Sequence, residues 1–159
     1  MAGDIRQKER GIVTLTTTGG SLTNLSAGLG NATADLDARS AGNLPDDIAC
    51  QFELVCQWAT ITSIVAGTVA AELYLVPVPD GTNVPDVDTT AGASRLPYAA
   101  FVGVFECPKA PTANTNMRFL SPVVQLAPML YKVYILNKSG QTISANWSLK
   151  VVGVQGQYT

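Results

Sequence analysis

From Ile48 to Gln57 the chain alternates: Ile48, Cys50, Phe52, Leu54 and Cys56 interleave with Ala49, Gln51, Glu53, Val55 and Gln57. A period of two sends the two sets to opposite faces of a pleated strand, so the stretch predicts a half-buried β-strand. The pattern recurs from Thr68 to Val78, with Ala71, Leu73 and Leu75 on one side, Tyr74, Val76 and Val78 on the other, and Pro77 and Pro79 at its end. Antiparallel pairing of these two strands is the expectation. Further strands are predicted over Tyr98 to Glu106, Phe119 to Leu126, Met129 to Asn137 and Trp147 to Val154. In the first of these Phe101 and Phe105 face one way and Val102 and Val104 the other. In the third, Leu130, Lys132, Tyr134 and Leu136 alternate with Tyr131, Val133 and Ile135, and Asn137-Lys-Ser-Gly140 closes the strand with turn chemistry.

Between Gly19 and Asp47 the chain is rich in Gly, Ser, Asn, Ala and Asp without a sustained period, which predicts loops with one short strand. Thr60 to Glu72 has some helical spacing in Ile61, Ile64, Val65 and Val69, but Gly67 and the β-branched residues favour turn and strand. No eleven-residue window holds a helical apolar stripe. Six or more short strands punctuated by Gly, Pro and Asn predict an all-β fold, an antiparallel β-sandwich or barrel.

The first ten residues differ from the rest. Asp4, Arg6, Lys8, Glu9 and Arg10 make five charges in ten positions, in a chain that is 14% charged throughout. After Gly11 comes the β-prone run Ile12 to Thr18. This contrast predicts an extended N-terminal arm over residues 1–11, leading into or lying alongside the first strand, and a single sandwich domain over residues 12–159. The length of 159 residues suits one core, and 47% hydrophobic residues excludes wholesale disorder.

Charge and residue inventory remove several function classes. A net charge of −2 leaves no basic footprint for nucleic acid. There is no histidine, which excludes imidazole bases and His-ligated metal sites. Three cysteines are an odd number. Cys50 and Cys56, six residues apart on one strand, have Cα atoms roughly 20 Å apart and cannot bridge, so all three read as buried small hydrophobes. Met1 to Arg10 lacks the apolar stretch of a secretory signal, so synthesis in the cytoplasm is expected. Val123 to Leu136 is interrupted by Gln125, Pro128 and Lys132 and is too short to span a bilayer, so no membrane partner is expected.

Enzymatic templates each lack a part. A serine or cysteine nucleophile without histidine needs a lysine or amine base, and no Ser-x-x-Lys occurs. The carboxylate pairs Asp35/Asp37, Asp46/Asp47 and Asp86/Asp88 fall in predicted loops, where solvated surface Asp is the simplest reading. Asp80, Asn83, Asp86 and Asp88 offer oxygen ligands but lack the spacing of a calcium loop, and no metal or other cofactor is expected. The Asn-x-Ser/Thr triplets at Asn24, Asn31, Asn137 and Asn146 would take glycans only in a secreted eukaryotic protein. Trp58, Trp147 and the five tyrosines read as core rather than as a sugar-stacking platform.

Three segments in order carry a resemblance: Ser21-Leu-Thr-Asn-Leu-Ser-Ala-Gly28, Tyr74-Leu-Val-Pro-Val-Pro-Asp-Gly-Thr-Asn83, and Pro128-Met-Leu-Tyr-Lys-Val-Tyr-Ile-Leu-Asn-Lys-Ser-Gly-Gln-Thr-Ile143. Over roughly residues 20 to 155 the chain resembles small structural proteins of tailed bacteriophages. The resemblance implies a jelly-roll-like sandwich that decorates the outer surface of the capsid as a cement protein, commonly a trimer, bridging subunits of the major capsid protein and performing no catalysis. On that reading the arm, with Ile5, Arg6, Lys8, Arg10 and Ile12, and the long Pro79 to Pro97 connection, with Asp80, Asn83, Asp86 and Asp88, are the expected partner contacts. The rival expectation is a receptor- or carbohydrate-binding β-sandwich module from a phage tail.

Overall fold

A computed structural model describes residues 5–15, 30–39, 42, 47–82, 100–144 and 147–158; residues 5–10, 30–34, 100 and 156–158 are described by backbone alone. The strands are β1 (Ile5–Leu15), β2 (Gly30–Asp37), β3 (Asp47–Cys56), β4 (Val69–Val78), β5 (Ala100–Glu106), β6 (Met117–Leu120), β7 (Val124–Gln125), β8 (Leu130–Asn137) and β9 (Ser148–Tyr158). All pairings are antiparallel. The first sheet runs β1-β9-β3-β6, with β7 also on β3, and the second runs β2-β8-β4-β5. Because β9 occupies one edge of β3, β6 and β7 share the other and form one interrupted strand. Counted so, two four-stranded sheets result whose connections mostly cross from sheet to sheet, which is the strand order of a jelly roll.

The hairpin expected between β3 and β4 does not form. The two strands lie in different sheets, and β4 instead pairs with β8 and β5. Alternation reports which face a strand buries, and each strand buries its own set against the opposite sheet. From the first sheet come Leu15, Phe52, Leu54, Phe119, Leu149 and Val151, and from the second Leu36, Leu73, Leu75, Phe105, Val133 and Ile135. The ambiguous stretch before β4 holds turns rather than helix: Ile64 N–H donates to the Ile61 carbonyl at 3.1 Å and Thr68 N–H to that of Val65 at 3.1 Å.

Residues 5–11, expected as an arm leading into or lying alongside the first strand, run into it as the first part of β1. Its ladder with β9 runs from Ile5↔Tyr158 to Leu15↔Leu149, with one irregularity between Glu9 and Ile12. The charges that set this segment apart suit an edge strand, where like-charged side chains deter unwanted pairing.

Local irregularities reverse two facings read from the sequence. Between Asp47 and Ala49 on β3 the register with β9 shifts, so Ile48 turns outward and is exposed while Ala49 is buried. On β5 the shift opposite Leu73 and Tyr74 makes Val102 the extra residue, and Phe101 turns to the outer face, 57% exposed, while Phe105 stays in the core.

The break between β6 and β7 has its own chemistry. Pro122 has no N–H for the ladder, and the register across the break differs by one residue, with Glu53↔Leu120 on one side and Cys50↔Val124 on the other. Ser121 repairs the gap: its hydroxyl accepts the Phe52 N–H at 2.9 Å, and its own N–H donates to the Phe52 carbonyl at 2.9 Å. Pro122 also closes the side of the sandwich between β5 and β6. A Cβ at Gly103 would stand 3.0 Å from Pro122 Cδ, so glycine is what lets β5 approach.

Asn137-Lys-Ser-Gly140 forms the expected turn, with Gly140 at φ 74°. Asn137 Oδ1 accepts from the N–H of Ser139 at 3.0 Å, and Asn137 Nδ2 donates to the Gln141 carbonyl at 2.7 Å. The Ser139 hydroxyl accepts from Trp58 Nε1 at 3.0 Å, which satisfies the polar atom of the largest fully buried side chain.

Candidate docking face

The outer face of the first sheet departs from the usual rule of apolar inside and polar outside. One row across it places Ile12 of β1 beside Val152 of β9 and Gln51 of β3. The next places Thr14, Lys150, Glu53 and Leu120 in line across all four strand positions. Ile12 and Leu120 are each 65% exposed, and Val123 in the break after β6 is 59% exposed. A shallow depression of about 80 Å³ lies among Ile12, Gln51, Glu53, Leu120, Lys150 and Val152. Large apolar groups at outward positions, rimmed by polar ones, are the surface signature of a contact with another molecule.

The charges in this face are organised around Glu53. Arg118 Nη1 donates to Glu53 Oε1 at 3.0 Å, and Lys150 Nζ lies 3.7 Å from the same oxygen. Exposed pairs of this kind contribute only about 0–1 kcal/mol to folding. Their effect is to fix one carboxylate and two cations between apolar neighbours, a pattern that orients a partner better than it holds the fold together.

The second sheet presents a different outer face. Val76, Val78, Tyr134 and Leu136 point away from the sandwich core yet are buried, so this sheet is covered over its centre on both sides. At its margin Lys132 Nζ meets Asp35 Oδ1 at 2.6 Å, and Arg39 grips Asp37 through Nε at 2.8 Å and Nη2 at 2.6 Å. The hydrogen bonds from Arg39 hold the Asp37 carboxyl below the usual carboxylate range, against a smaller opposing effect of burial. Asp35 and Asp37 thus serve ion pairs on β2, a strand rather than the predicted loop.

The thiols are inert by environment. Burial pushes Cys50 and Cys56 up to about 12, with Asp47 adding to the first and Cys107 to the second, and burial also raises Cys107. All three are free and buried. Among the described residues no group of three or more cysteine, aspartate or glutamate side chains is placed to hold a metal ion. No helix of the described residues is long and apolar enough to cross a membrane.

Of the residues expected to touch a partner, Ile12 lies in the docking face. Ile5, Arg6, Lys8 and Arg10 lie on β1, along the same edge of the first sheet. Asp80 is exposed in the turn after β4, where its Oδ1 accepts the Thr82 N–H at 2.9 Å. That turn follows a strand of the other sheet, so the structure does not join Asp80 to Ile12. Asn83, Asp86 and Asp88 lie outside the described residues. Leu120, Val123, Glu53, Lys150 and Val152 were not singled out from the sequence. Leu120 carried a signal: it alternates with Phe119, a core residue, and so is a leucine at an outward position.

The aromatic residues sit mostly inside. Trp58, Tyr131 and Tyr134 are buried, and Trp147 packs partly buried against the core. Asn137, one of the Asn-x-Ser/Thr positions, is fully buried and engaged in its turn.

No family model matches the chain, and no curated protein matches it. Among solved structures, one chain described as a carbohydrate-binding module of the β-sandwich superfamily aligns at 11% identity with a TM-score of 0.34. The alignment covers 99% of this chain and 58% of that one. At that score the likeness assigns no activity, and the jelly-roll description rests on the strand order itself.

Proposed function

We propose that this protein works by adhesion rather than turnover: a jelly-roll module that docks on the outer surface of a bacteriophage capsid and bridges subunits of the major capsid protein. The capsid partner comes from the sequence resemblance. The docking mode comes from one observation, the exposed Ile12, Leu120 and Val123 around the Glu53 ion pairs on an otherwise ordinary sheet face. Stable contacts of the standard size bury about 800 Å² per partner, and a lattice repeats each contact many times. The trimeric state implied by the resemblance belongs to the same proposal.

Fully burying a leucine or isoleucine contributes roughly 1.5–3 kcal/mol, and about two-thirds of that is still to be gained by side chains as exposed as these. Replacing Ile12 and Leu120 by aspartate should therefore weaken binding to purified heads by about tenfold for each site. Mass spectrometry of intact particles, with copies counted, is the companion measurement. Unchanged occupancy by the double variant, or a handful of copies per particle, would overturn the proposal. The rival carbohydrate-binding reading draws little support from the aromatic side chains: among the described residues Phe101 is the strongly exposed one.

A further inference from the structure

The edge strand β5 is a second feature that the docking face does not use. It ends the second sheet, and among the described strands it pairs with β4 alone. A sheet edge carries a row of backbone donors and acceptors aimed outward, and native edges are blunted by charge, proline, bulges or brevity. Three edges of this sandwich carry such devices. The β1 sequence contains Arg6, Lys8, Glu9 and Arg10; β2 carries Asp35 and Asp37 with a register shift; the β6–β7 edge is split at Pro122. By contrast β5, Ala100-Phe-Val-Gly-Val-Phe-Glu106, has no lysine, arginine or proline, and its extra residue, Val102, lies near its start and leaves Gly103 to Glu106 a regular edge.

The outer face of β5 is also equipped to hold something. Phe101 is 57% and Val104 38% exposed, and both stand on that face. The Phe101 ring meets Tyr74 edge-on at 5.5 Å, and the Tyr74 hydroxyl donates to Glu72 Oε2 at 2.8 Å. The exposed aromatic is thus held in place before any partner arrives, which lowers the entropy lost on binding. At the far end Glu106 is exposed on the same face.

We propose that β5 is a strand-addition site, which takes an extended segment of another protein carrying apolar side chains beside Phe101 and Val104 and a lysine or arginine opposite Glu106. A second copy of this chain suits the edge less well. Antiparallel self-pairing about a two-fold at Val104 sets Gly103 against Phe105, but the extra residue at Val102 then interrupts the face-matched ladder and leaves Glu106 against the bulge. An unrelated segment meets that extra residue once rather than twice, and can follow β5 from Gly103 to Glu106 without interruption. The proposal stands whether or not the first sheet docks on a capsid.

The test uses the full chain and a labelled, end-blocked nonapeptide that alternates valine with threonine and ends in lysine. Fluorescence anisotropy should show saturable binding, and hydrogen exchange should slow at residues 101–106 while β1, β2 and β6 keep their rates. Val104→Lys, which places a charge beside the edge, should weaken binding at least tenfold. Val65→Lys, at a position 60% exposed in the turn before β4, should leave it unchanged. Absence of binding at millimolar peptide, or protection of a different edge, would refute the site. Sedimentation of the chain alone that shows a dimer abolished by Val104→Lys would refute the choice of partner. If the lysine variant does not fold, the exchange pattern of the wild-type chain decides the matter by itself.

Discussion

Ser121→Ala is the sharpest probe of how the interrupted strand is held. The Ser121 hydroxyl accepts the N–H of Phe52, whose side chain is fully buried, and donates to the Pro122 carbonyl at 2.7 Å. Pro122 is exposed, so its carbonyl regains water when the hydroxyl is removed. The Phe52 N–H does not, because Ser121 itself is only 4% exposed and the proline leaves no other ladder partner there. A buried donor without an acceptor costs about 1–3 kcal/mol. A loss near 2 kcal/mol lowers the melting temperature of a domain this size by roughly 4–8 °C. Urea denaturation with an unchanged slope, together with calorimetry, measures it. Ser144→Ala is the control: the Ser144 hydroxyl and its N–H both donate to the Gln57 carbonyl, at 3.0 and 2.9 Å, so deletion of the hydroxyl leaves that carbonyl satisfied and should cost under about 0.5 kcal/mol. If Ser121→Ala costs no more than Ser144→Ala, the hydroxyl is not what completes the ladder.

The remaining predictions concern charge and thiols. Because the folded-state pKa of Asp37 is depressed, its pairing with Arg39 stabilises the fold above the unfolded value of 3.8 and the contribution is lost as pH falls through the lower folded value. The stability gap between wild type and Asp37→Asn should therefore be constant from pH 5 to 7 and shrink below about pH 4, as followed by denaturation across that range; a gap that grows on acidification would contradict the assignment. Cys50, Cys56 and Cys107 should resist alkylation at pH 8 in the folded chain and react fully in denaturant, and rapid labelling of the native protein, read by intact mass, would show the burial argument to be wrong.

How far the sequence revealed all this varied by element. For β3 the two-residue period separated the core-facing Cys50, Phe52 and Leu54 from Gln51 and Glu53, because beyond Ala49 the ladder runs regularly and one face meets the opposite sheet; for β8 it separated two sets without telling which faces the core, since both are largely buried. Ile48 and Phe101 escaped that reading, since a single extra residue reverses every facing beyond it and leaves no mark in composition. The pairing of β3 with β9 rather than β4 was equally hidden: alternation identifies a strand's faces and says nothing of its neighbours. In β1, the charges marked the segment leading into the first strand but did not reveal that it pairs with β9. Of the candidate docking face the sequence reading named Ile12 alone; its other members come from β3, β6, β9 and the break after β6 and are joined only by the fold. Leu120 was the available clue, a large apolar residue where the alternation calls for a polar one.

The ladder between Ile5↔Tyr158 and Leu15↔Leu149 has a consequence for biosynthesis. β1 has its hydrogen-bonding mate in β9, far later in the order of synthesis, and β2 likewise waits for β8. A nascent chain cannot complete the second layer before β8 has emerged or the first before β9 has, so assembly of the sandwich should be slow and late. Chains that stall before Ser148 leave β1 and one side of β3 without their mate, and should be the ones that clump.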